Sequence, residues 1–517
     1  MISIKSLEAG TPPKHTGYTA ETNQKWYGGL TAHGESMPFE KDIQINMISD
    51  TFFNQGQPLM LSAEGQVIWS EAPFKINYLN KQLSLTENHA EFNVTQAGST
   101  LKDAHAFAST TYFPPSGKMP DELLFSAPQY NTWIELMYEQ NQEDILAYAK
   151  KILDNGMPPG VLMIDDNWQE NYGVWDFHAG RFTDPKAMID ELHEMGFKVM
   201  LWVAPFVSPD SQNYRKLAKQ GVFLKRSQKH DALPQMVDWW NGVSALLDFS
   251  NPEAVTWFDE QLKRLQNDYG VDGFKFDAGD AHFYQDGYSK ANITPNQQSE
   301  LFAQIGLHYP LNELRATWKL GGQPIAQRLK DKNHDWSDLE KLIPQMNLEG
   351  ILGYPFACPD MIGGGEYLCF LDGADVDQEL VVRSAQAHAL MPMMQFSVAP
   401  WRVLDENNLA AVVEAVNIRQ KFSQYIVDEA RKSAETGEPI MRMMEYDYPH
   451  QGYHSVKDQF LIGESLLVAP VVHANQTERT VKIPNGTWIS NKGETHIGPL
   501  SITEPVTAST LLYYQKQ

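Results

Sequence analysis

The first 127 residues alternate apolar and polar side chains in short segments that are separated by turn residues. Alternation with a period of two places every second side chain on the same face of an extended strand. The segments that show this pattern are INMIS, GQVIWS, FKINYL, LSLT and AEFNVT. We therefore predict an antiparallel N-terminal β-sandwich domain over residues 1–127.

The pattern changes at about residue 128, where apolar runs begin to alternate with amphipathic segments of helical period. Asp184-Pro185 and Asn251-Pro252 each place a capping side chain before a proline, which predicts the start of a helix. Apolar runs separated by helices are typical of parallel strands that are buried on both faces of a sheet. Eight such runs lie at residues 130–136, 160–168, 198–207, 244–249, 272–279, 314–318, 351–360 and 390–398.

Eight strands that alternate with helices predict an α/β fold, a (β/α)8 TIM barrel, over residues 128–425. The alternative is an open doubly wound sheet, but the sequence contains no glycine-rich GxGxxG loop of the kind such sheets use for phosphates. After residue 425 strand-like segments return, with Asn485-Gly486 as a hairpin signal. They predict a C-terminal β-sandwich domain over residues 426–517.

Charge and composition narrow the classes of function. The 517 residues carry a formal net charge of −24 at pH 7. This excess of acidic residues argues against nucleic acid as a partner, because nucleic-acid affinity depends on lysine and arginine at the phosphates. The 13 tryptophans supply flat rings of the kind that sugar-binding proteins place against pyranose rings.

The sequence also bears on redox state and location. Two cysteines are too few for a disulfide framework, and they form no CxxC metal pattern. No apolar run reaches the roughly 18 residues of a membrane span, and the N-terminal segment has no apolar signal core. We therefore expect no membrane partner and a cytoplasmic location, unless a signal segment was removed.

Charged and aromatic side chains recur where the predicted barrel strands end, which is the face that carries the active site in this fold. A single residue of this kind is usually a helix cap, but equivalent positions on several strands indicate a functional set. The clearest member is Asp277, which ends the buried segment VDGFKF two residues after Lys275. The others are Asp165, Asp166, Trp202, Asp248, Arg315 and Asp360.

Two chemistries use a ring of carboxylates. Metal-dependent hydrolysis is disfavoured, because the histidines show no HxH or HExxH spacing, and we expect no metal and no cofactor. Glycoside hydrolysis needs two carboxyl groups that flank the scissile bond and acceptors that bind hydroxyls. Lys275 favours the ionised form of Asp277, as a nucleophile requires.

Several motifs resemble those of glycoside hydrolase family 31, the retaining α-glycosidases. FKFDAGD is similar to the family's nucleophile strand, and MIDDNW, LWVAPFV and LLDFSNP are similar to its strands 2, 3 and 4. LGYPFACPDMIGG resembles its strand-7 motif, and DQFLIGESLLVAPV resembles the segment after the barrel. In the family an arginine precedes the acid/base aspartate by sixteen residues, the spacing that separates Arg315 from Asp331.

The resemblance implies that Asp277 is the nucleophile and Asp331 the general acid/base. Asp335, four residues further on, is the alternative acid/base. The substrate is then a small oligosaccharide or glycoside, cleaved by double displacement through a covalent glycosyl-aspartate.

The resemblance also implies a set of substrate-binding residues. Asp165 and Asp360 would bind hydroxyls of the sugar in the −1 subsite, and Lys275 and Arg315 would flank the nucleophile and the ring. Asp166 and Trp202 complete the set predicted from the strand ends.

The finer specificity follows from departures within the family pattern. Asp280 stands where the family commonly has glutamate, and Pro359 where it often has histidine. The IDDNW, LGYPF and Trp239-Trp240 forms most resemble the branch with bacterial α-galactosidases and the myogenesis-regulating glycosidase. In that branch the second tryptophan, here Trp240, helps to accept the axial 4-hydroxyl; the alternative is a core tryptophan.

These departures imply an exo-α-glycosidase that acts on α-galactosides. The alternatives are the same machinery acting on α-glucosides, α-xylosides or sulfonated glucosides, another barrel family of α-galactosidases, and a non-catalytic carbohydrate-binding barrel.

Overall fold

The structure, a computed structural model, describes residues 14–15, 17–20, 23–86, 91–229 and 231–517. The rest of the predicted N-terminal domain, including residues 1–13, lies outside these ranges. The described N-terminal residues form two antiparallel sheets, and the alternation seen in the sequence explains the one that contains residues 75–86. In Lys75–Leu79 and Gln82–Thr86, every second side chain is buried.

The strands of the first sheet are Lys14–His15, Trp26–Leu30, Gln55–Ser62, Gln66–Ser70 and Phe92–Gln96, joined by Thr317–Trp318. The strands of the second sheet are Gly17–Thr19, Ile43–Asn46, Lys75–Leu79 and Gln82–Thr86. Thr317–Trp318 belongs to a barrel loop and pairs in parallel with residues 55–56. The N-terminal domain and the barrel therefore share a sheet.

The central domain is a curled parallel sheet, which confirms the predicted TIM barrel. Its eight main strands are Gln129–Asn131, Val161–Ile164, Lys198–Val203, Gly273–Phe276, Asn312–Leu314, Gln327–Arg328, Ala357–Cys358 and Gln395–Phe396, here called barrel strands 1 to 8. A ninth short strand, Met361–Ile362, continues strand 7 and pairs with strand 8. This pairing brings the sheet back on itself.

One of the predicted barrel strands is wrong, and one barrel strand was not predicted. The run at 244–249 overlaps Gly242–Leu246, which belongs to an antiparallel three-stranded sheet with Phe206–Val207 and Met236–Trp239. Strand 6 of the barrel is Gln327–Arg328, a polar pair that is fully buried. Apolar runs therefore predicted the number of strands, but Asp277 follows the fourth strand and not the fifth.

The helices surround this sheet and connect its strands. Asp184 and Asn251 cap two of them as predicted, since their side chains accept hydrogen bonds from the N–H groups of Ala187 and Glu253. The helices of the N-terminal region and barrel are Leu101–Tyr112, Leu123–Ser126, Trp133–Leu136, Gln142–Asp154, Pro185–Glu194, Gln212–Gln220, Pro252–Tyr269, Pro295–Ile305, Trp336–Ile351, Gln378–Ala389, Pro400–Val403 and Glu406–Thr436.

The helix Glu406–Thr436 runs past residue 425, where the sequence pattern suggested that helices end. It makes the connection to the C-terminal domain. Within the described ranges, no helix combines the length and the apolar character that crossing a bilayer requires.

The C-terminal residues form one antiparallel sheet of six strands and a short helix, Met444–Asp447. The strands are Met441–Arg442, Phe460–Ile462, Leu466–Ala469, Glu478–Ser490, Thr495–Pro505 and Leu512–Lys516. The hairpin predicted at Asn485-Gly486 is wrong, because the strand continues through both residues with a register shift. Gly486 has a φ of 125°, which suits a bulge, and the turn itself lies at residues 491–494.

Candidate active site

A cavity of about 480 Å³ opens at the C-terminal ends of the barrel strands. Its walls contain eight of the nine predicted catalytic and binding residues, all except Asp360. The lining residues are Phe53, Trp133, Tyr138, Asp165, Asp166, Trp202, Trp240, Lys275, Asp277, Arg315, Lys330, Asp331, Asn333, Met361 and Gly365.

Asp277 lies at the end of barrel strand 4 and is held by two side-chain donors. Arg315 Nε donates to its Oδ1 at 2.8 Å, and Trp202 Nε1 donates to its Oδ2 at 2.9 Å. Burial favours the neutral acid, but the charges of Arg315 and Lys275 outweigh it and hold the pKa of Asp277 well below its usual range. The carboxylate is therefore ionised and oriented.

Lys275 contributes to this effect from a distance, because its own direct partner is a different acid. Its Nζ lies 2.5 Å from Asp165 Oδ2, and both side chains are buried. Asn131 Nδ2 donates to the same oxygen at 2.7 Å. Asp165 is thus tied to strands 1 and 4 at once.

Arg315 is oriented by Asp280, which stands where the family commonly has glutamate. Its Nη1 and Nη2 donate to the two oxygens of Asp280 at 3.1 and 2.8 Å, and Asp280 is fully buried. Nη1 also donates to the backbone oxygen of Phe53 at 3.1 Å. This bidentate pair fixes the plane of the guanidinium and presents Nε to Asp277.

Asp331 follows barrel strand 6 and faces the cavity with about half of its side chain, 53%, exposed. Arg328 Nη1 donates to its Oδ1 at 2.7 Å. Desolvation favours the neutral acid, but the charge of Arg328 outweighs it and lowers the pKa of Asp331. A Cβ added to Gly365 would lie 2.2 Å from Asp331 Oδ2, so the absence of a side chain there makes room for the carboxyl group.

The alternative acid, Asp335, has a structural role. It is the N-cap of the helix Trp336–Ile351, and its Oδ1 accepts from Asp338 N at 2.8 Å and from Ser337 Oγ at 2.9 Å. It is not among the residues that line the cavity.

Asp360 differs from the prediction that it binds a sugar hydroxyl. It is fully buried behind the cavity wall, and its two oxygens accept from Arg328 Nη1 and from Lys332 N. A carboxylate at the end of a strand can point toward the strand beside it as well as into the cavity, and sequence position alone does not distinguish the two.

Asp166 lines the cavity within a network of neutral donors. Asn241 Nδ2 lies 2.6 Å from its Oδ2, and Tyr172 donates to its Oδ1 at 3.1 Å. Burial, together with the charge of Asp165, raises the pKa of Asp166 to about 7. Asp165 and Asp166 therefore present two different acceptors to the cavity.

Trp240 lies at the turn of the antiparallel hairpin formed by Met236–Trp239 and Gly242–Leu246. The alternative reading as a core tryptophan is wrong, because the side chain is 46% exposed and lines the cavity. Its ring lies 5.8 Å from the guanidinium carbon of Arg315, and the ring of Phe53 lies 5.4 Å from the same carbon. Aromatic rings thus border the entrance to the nucleophile.

Several residues that line the cavity were not predicted from the sequence. Phe53 is the one that lies farthest along the chain from the barrel residues of the site. It belongs to an N-terminal loop, and no charge or motif marked it. Trp133 lies within the predicted run at 130–136 and Tyr138 just after it, and the sequence did not distinguish them from other aromatic residues.

A group of potential cation ligands lies outside the cavity. Among the described residues, one group of potential ligands has its atoms within 4.8 Å of each other: Glu494, His496 and Glu504, on the C-terminal hairpin. None of the three lines the cavity. That the reaction needs no metal stays a prediction.

The fold and the cavity define a class: a (β/α)8 barrel with an ionised carboxylate after strand 4, a second acid after strand 6, and acceptors and aromatic rings around them. Two carboxyl groups in a pocket of this kind suit glycoside chemistry.

Comparison with known families identifies the chain. The model of the glycosyl hydrolases family 31 TIM-barrel domain matches residues 123–429, and the model of the family's C-terminal domain matches residues 437–517. The chain belongs to glycosyl hydrolase family 31, which confirms the resemblance of its motifs.

Individual relatives carry different names. The chain is 29% identical to the mouse myogenesis-regulating glycosidase over 98% of its own length and 76% of that protein. It is 26% identical to an α-xylosidase from Emericella nidulans, over 80% of the chain and 54% of the relative. A Flavobacterium johnsoniae dextranase in complex with glucose has the same fold, with a TM-score of 0.84 and 19% identity over 97% of the chain and 66% of the dextranase.

Proposed function

We propose that the protein is a retaining exo-α-glycosidase that hydrolyses terminal α-galactosides, with Asp277 as nucleophile and Asp331 as acid/base. The observation that carries the proposal is the state of Asp277, an ionised carboxylate fixed by Arg315 and Trp202 in the same cavity as Asp331. A nucleophile needs the charged form and a fixed direction, and both are supplied.

In the first step an oxygen of Asp277 attacks the anomeric carbon, and the bond to the leaving oxygen breaks as Asp331 gives that oxygen its proton. The product is a glycosyl ester of Asp277. In the second step Asp331, now a carboxylate, removes a proton from water, and the water oxygen displaces Asp277. Each step inverts the anomeric carbon, so the two together retain its configuration.

The charge of Asp277 links the two steps electrostatically. Arg328 lowers the pKa of Asp331, and the negative charge of Asp277 opposes this by raising it while Asp277 is free. The glycosyl ester carries no charge, so its formation removes this effect and favours the carboxylate form of Asp331. The base of the second step is thus produced by the first.

Three features support galactose as the terminal sugar. Asp165 and Asp166 are two cavity acceptors that suit the 4- and 6-hydroxyls, and Trp240 brings an indole ring and an N–H donor to the entrance. Pro359 offers no donor where relatives often have histidine. A site that hydrogen-bonds one epimer leaves polar groups unpaired with the other, which favours discrimination.

The second candidate is the same mechanism acting on another sugar. Relatives that match 80% of the chain include the E. nidulans α-xylosidase and the Escherichia coli sulfoquinovosidase, so xylosides and sulfonated glucosides are the competing substrates.

A panel of aryl α-glycosides decides between the candidates. We expect kcat/KM for the galactoside to exceed that for the glucoside and the xyloside by at least about tenfold, or about 1.4 kcal/mol of transition-state stabilisation. A preference for another member of the panel would exclude galactoside specificity, but the proposed retaining mechanism would still apply to the preferred sugar. Absence of turnover on every member, with binding retained, would indicate a non-catalytic carbohydrate-binding barrel.

A further inference from the structure

The buried guanidinium of Arg328, on barrel strand 6, contacts three carboxylates. Its Nη1 donates to Asp331 Oδ1 at 2.7 Å and to Asp360 Oδ1 at 2.5 Å, and its Nε lies 3.2 Å from Glu313 Oε1. Arg328, Glu313 and Asp360 are each at most 1% exposed, whereas Asp331 faces the cavity. One positive charge in the barrel core is therefore shared between two buried acids and one cavity acid.

We propose that Arg328 is a positioning residue that orients Asp331 and sets the pH range in which it is protonated, with Asp360 as the acid that competes for the same guanidinium. The inference rests on the proposed function, since it concerns the acid/base of that reaction. It gives Asp360 a role that does not require contact with the sugar.

The contacts on either side of Asp331 show why its position depends on Arg328. The carboxyl group follows a two-residue strand and sits in a loop, between the Arg328 guanidinium and the backbone of Gly365. A hydrogen bond from a charged donor is stronger and more directional than one from a neutral donor. Lys332, one residue after Asp331, donates its backbone N–H to Asp360. The side chain of Asp331 is thus bound to Arg328, and the next backbone N–H is bound to the acid that Arg328 also contacts.

The charges around Asp331 determine the sign of each effect. The charged groups that act on Asp331 are Arg328, Asp277 and Lys275 of strand 4, Arg315 after strand 5, and Asp360 after strand 7. Lys330 and Lys332 are its neighbours along the chain, and Glu313 contacts Arg328. Arg328 lowers the pKa of Asp331, whereas Asp277 raises it. Burial raises the pKa of Asp360 to about 7. This acid therefore becomes charged near neutral pH, and only then does it attract Arg328 as strongly as an ionised carboxylate does.

Two substitutions should therefore move the protonation of Asp331 in opposite directions. Arg328→Met removes the nearby cation, so Asp331 keeps its proton to higher pH. Asp360→Asn removes the anion that competes for Arg328. The positive charge of Arg328 then acts more strongly on Asp331, so Asp331 loses its proton at lower pH. An opposite charge within hydrogen-bonding distance typically shifts a pKa by about one to three units.

The test is the pH dependence of kcat/KM for an α-galactoside with a poor leaving group, whose basic limb reports the acid form of Asp331. We expect the pH at the midpoint of the basic limb to rise by about one unit in Arg328→Met and to fall in Asp360→Asn. Arg419→Lys is the matched control, because Arg419 is equally buried but donates to backbone oxygens, among them those of Met391 and Pro392. It should change stability without moving the limb.

The outcomes separate this inference from the proposed function. If the wild-type protein cleaves the substrate and either folded variant keeps the wild-type limb or moves it in the wrong direction, Arg328 does not set the protonation of Asp331. If Arg328→Met does not fold, the shift in Asp360→Asn decides alone. If the wild-type protein cleaves none of the aryl α-glycosides, the proposed function itself fails.

Discussion

At the scale of single residues, the central contrast is between two aspartates in one cavity. Asp277 is held by Arg315 and Trp202, and its charge is favoured by surrounding cations. Asp331 receives its hydrogen bond from Arg328 and is half exposed. A fixed, ionised group suits attack, and an accessible group suits proton transfer.

Replacing the nucleophile tests the first of these roles. We expect Asp277→Ala to lower kcat by at least roughly 10⁴-fold, because alanine has no carboxylate on which the covalent intermediate can form. Arg315 keeps its bidentate partner Asp280, so the fold should survive. Kinetics on an aryl α-galactoside and thermal unfolding measure the two expectations. Activity within about tenfold of the wild-type rate would contradict the assignment.

Replacing the acid tests the second role through the leaving group. Asp331→Ala should slow poor leaving groups by about 10²–10⁴-fold and activated aryl groups far less, since only the former need a proton. Asp335→Ala is the control, because Asp335 caps a helix outside the cavity and should affect stability alone. If the dependence on leaving group appeared in Asp335→Ala and not in Asp331→Ala, the acid/base would be misassigned.

At the scale of secondary-structure elements, the hairpin that carries Trp240 is the part of the cavity wall most closely tied to sugar choice. It departs from the barrel between strands 3 and 4 and places the indole near Arg315. Tyr172 and Asn241, which bind Asp166, connect the same hairpin to the end of strand 2. The hairpin thus contacts both the nucleophile side and the hydroxyl-binding side of the cavity.

Truncation of this side chain should narrow the preference for galactose. We expect Trp240→Ala to reduce the galactoside-to-glucoside ratio of kcat/KM, chiefly by weakening the galactoside. Val243→Ala is the matched control, because Val243 is also exposed on the hairpin but does not line the cavity. An unchanged ratio in Trp240→Ala would show that Trp240 does not contribute to the preference for galactosides.

The elements also show what the sequence could predict. Barrel strands with apolar cores, such as Gly273–Phe276, were found because burial on both faces demands apolar residues. Gln327–Arg328 was missed because its polar side chains are buried by pairing with other polar groups, which leaves no hydrophobic run. The run at 244–249 was misplaced because an apolar segment does not reveal which sheet it joins.

The candidate site was predictable to a similar extent. Acids and cations at strand ends are visible in a sequence because a buried charge is costly unless it has a function or a partner. The position of Phe53 depends on a contact with Arg315, and the direction of the Asp360 side chain depends on a contact with Arg328 on the neighbouring strand. Local sequence patterns do not encode contacts between separate segments.

At the scale of the whole molecule, the N-terminal domain supports the barrel's active face directly. Gln55 Nε2 donates to the backbone oxygens of Arg315 and Arg328 at 2.5 and 2.7 Å, and Asn54 Oδ1 accepts from Lys330 N at 2.9 Å. The segments that carry the nucleophile's partner and the acid/base are thereby linked to one N-terminal strand. The domain is a structural part of the site, which also receives Phe53 from it.

The stereochemistry of the reaction tests the central claim most directly, because a covalent glycosyl-Asp277 intermediate combines inversion at each step into net retention. Proton NMR of an aryl α-galactoside digest, recorded before the released sugar mutarotates, identifies the anomer that forms first. We expect α-galactose to form first. Initial formation of β-galactose would contradict this expectation and would mean that Asp277 and Asp331 activate water in a single displacement.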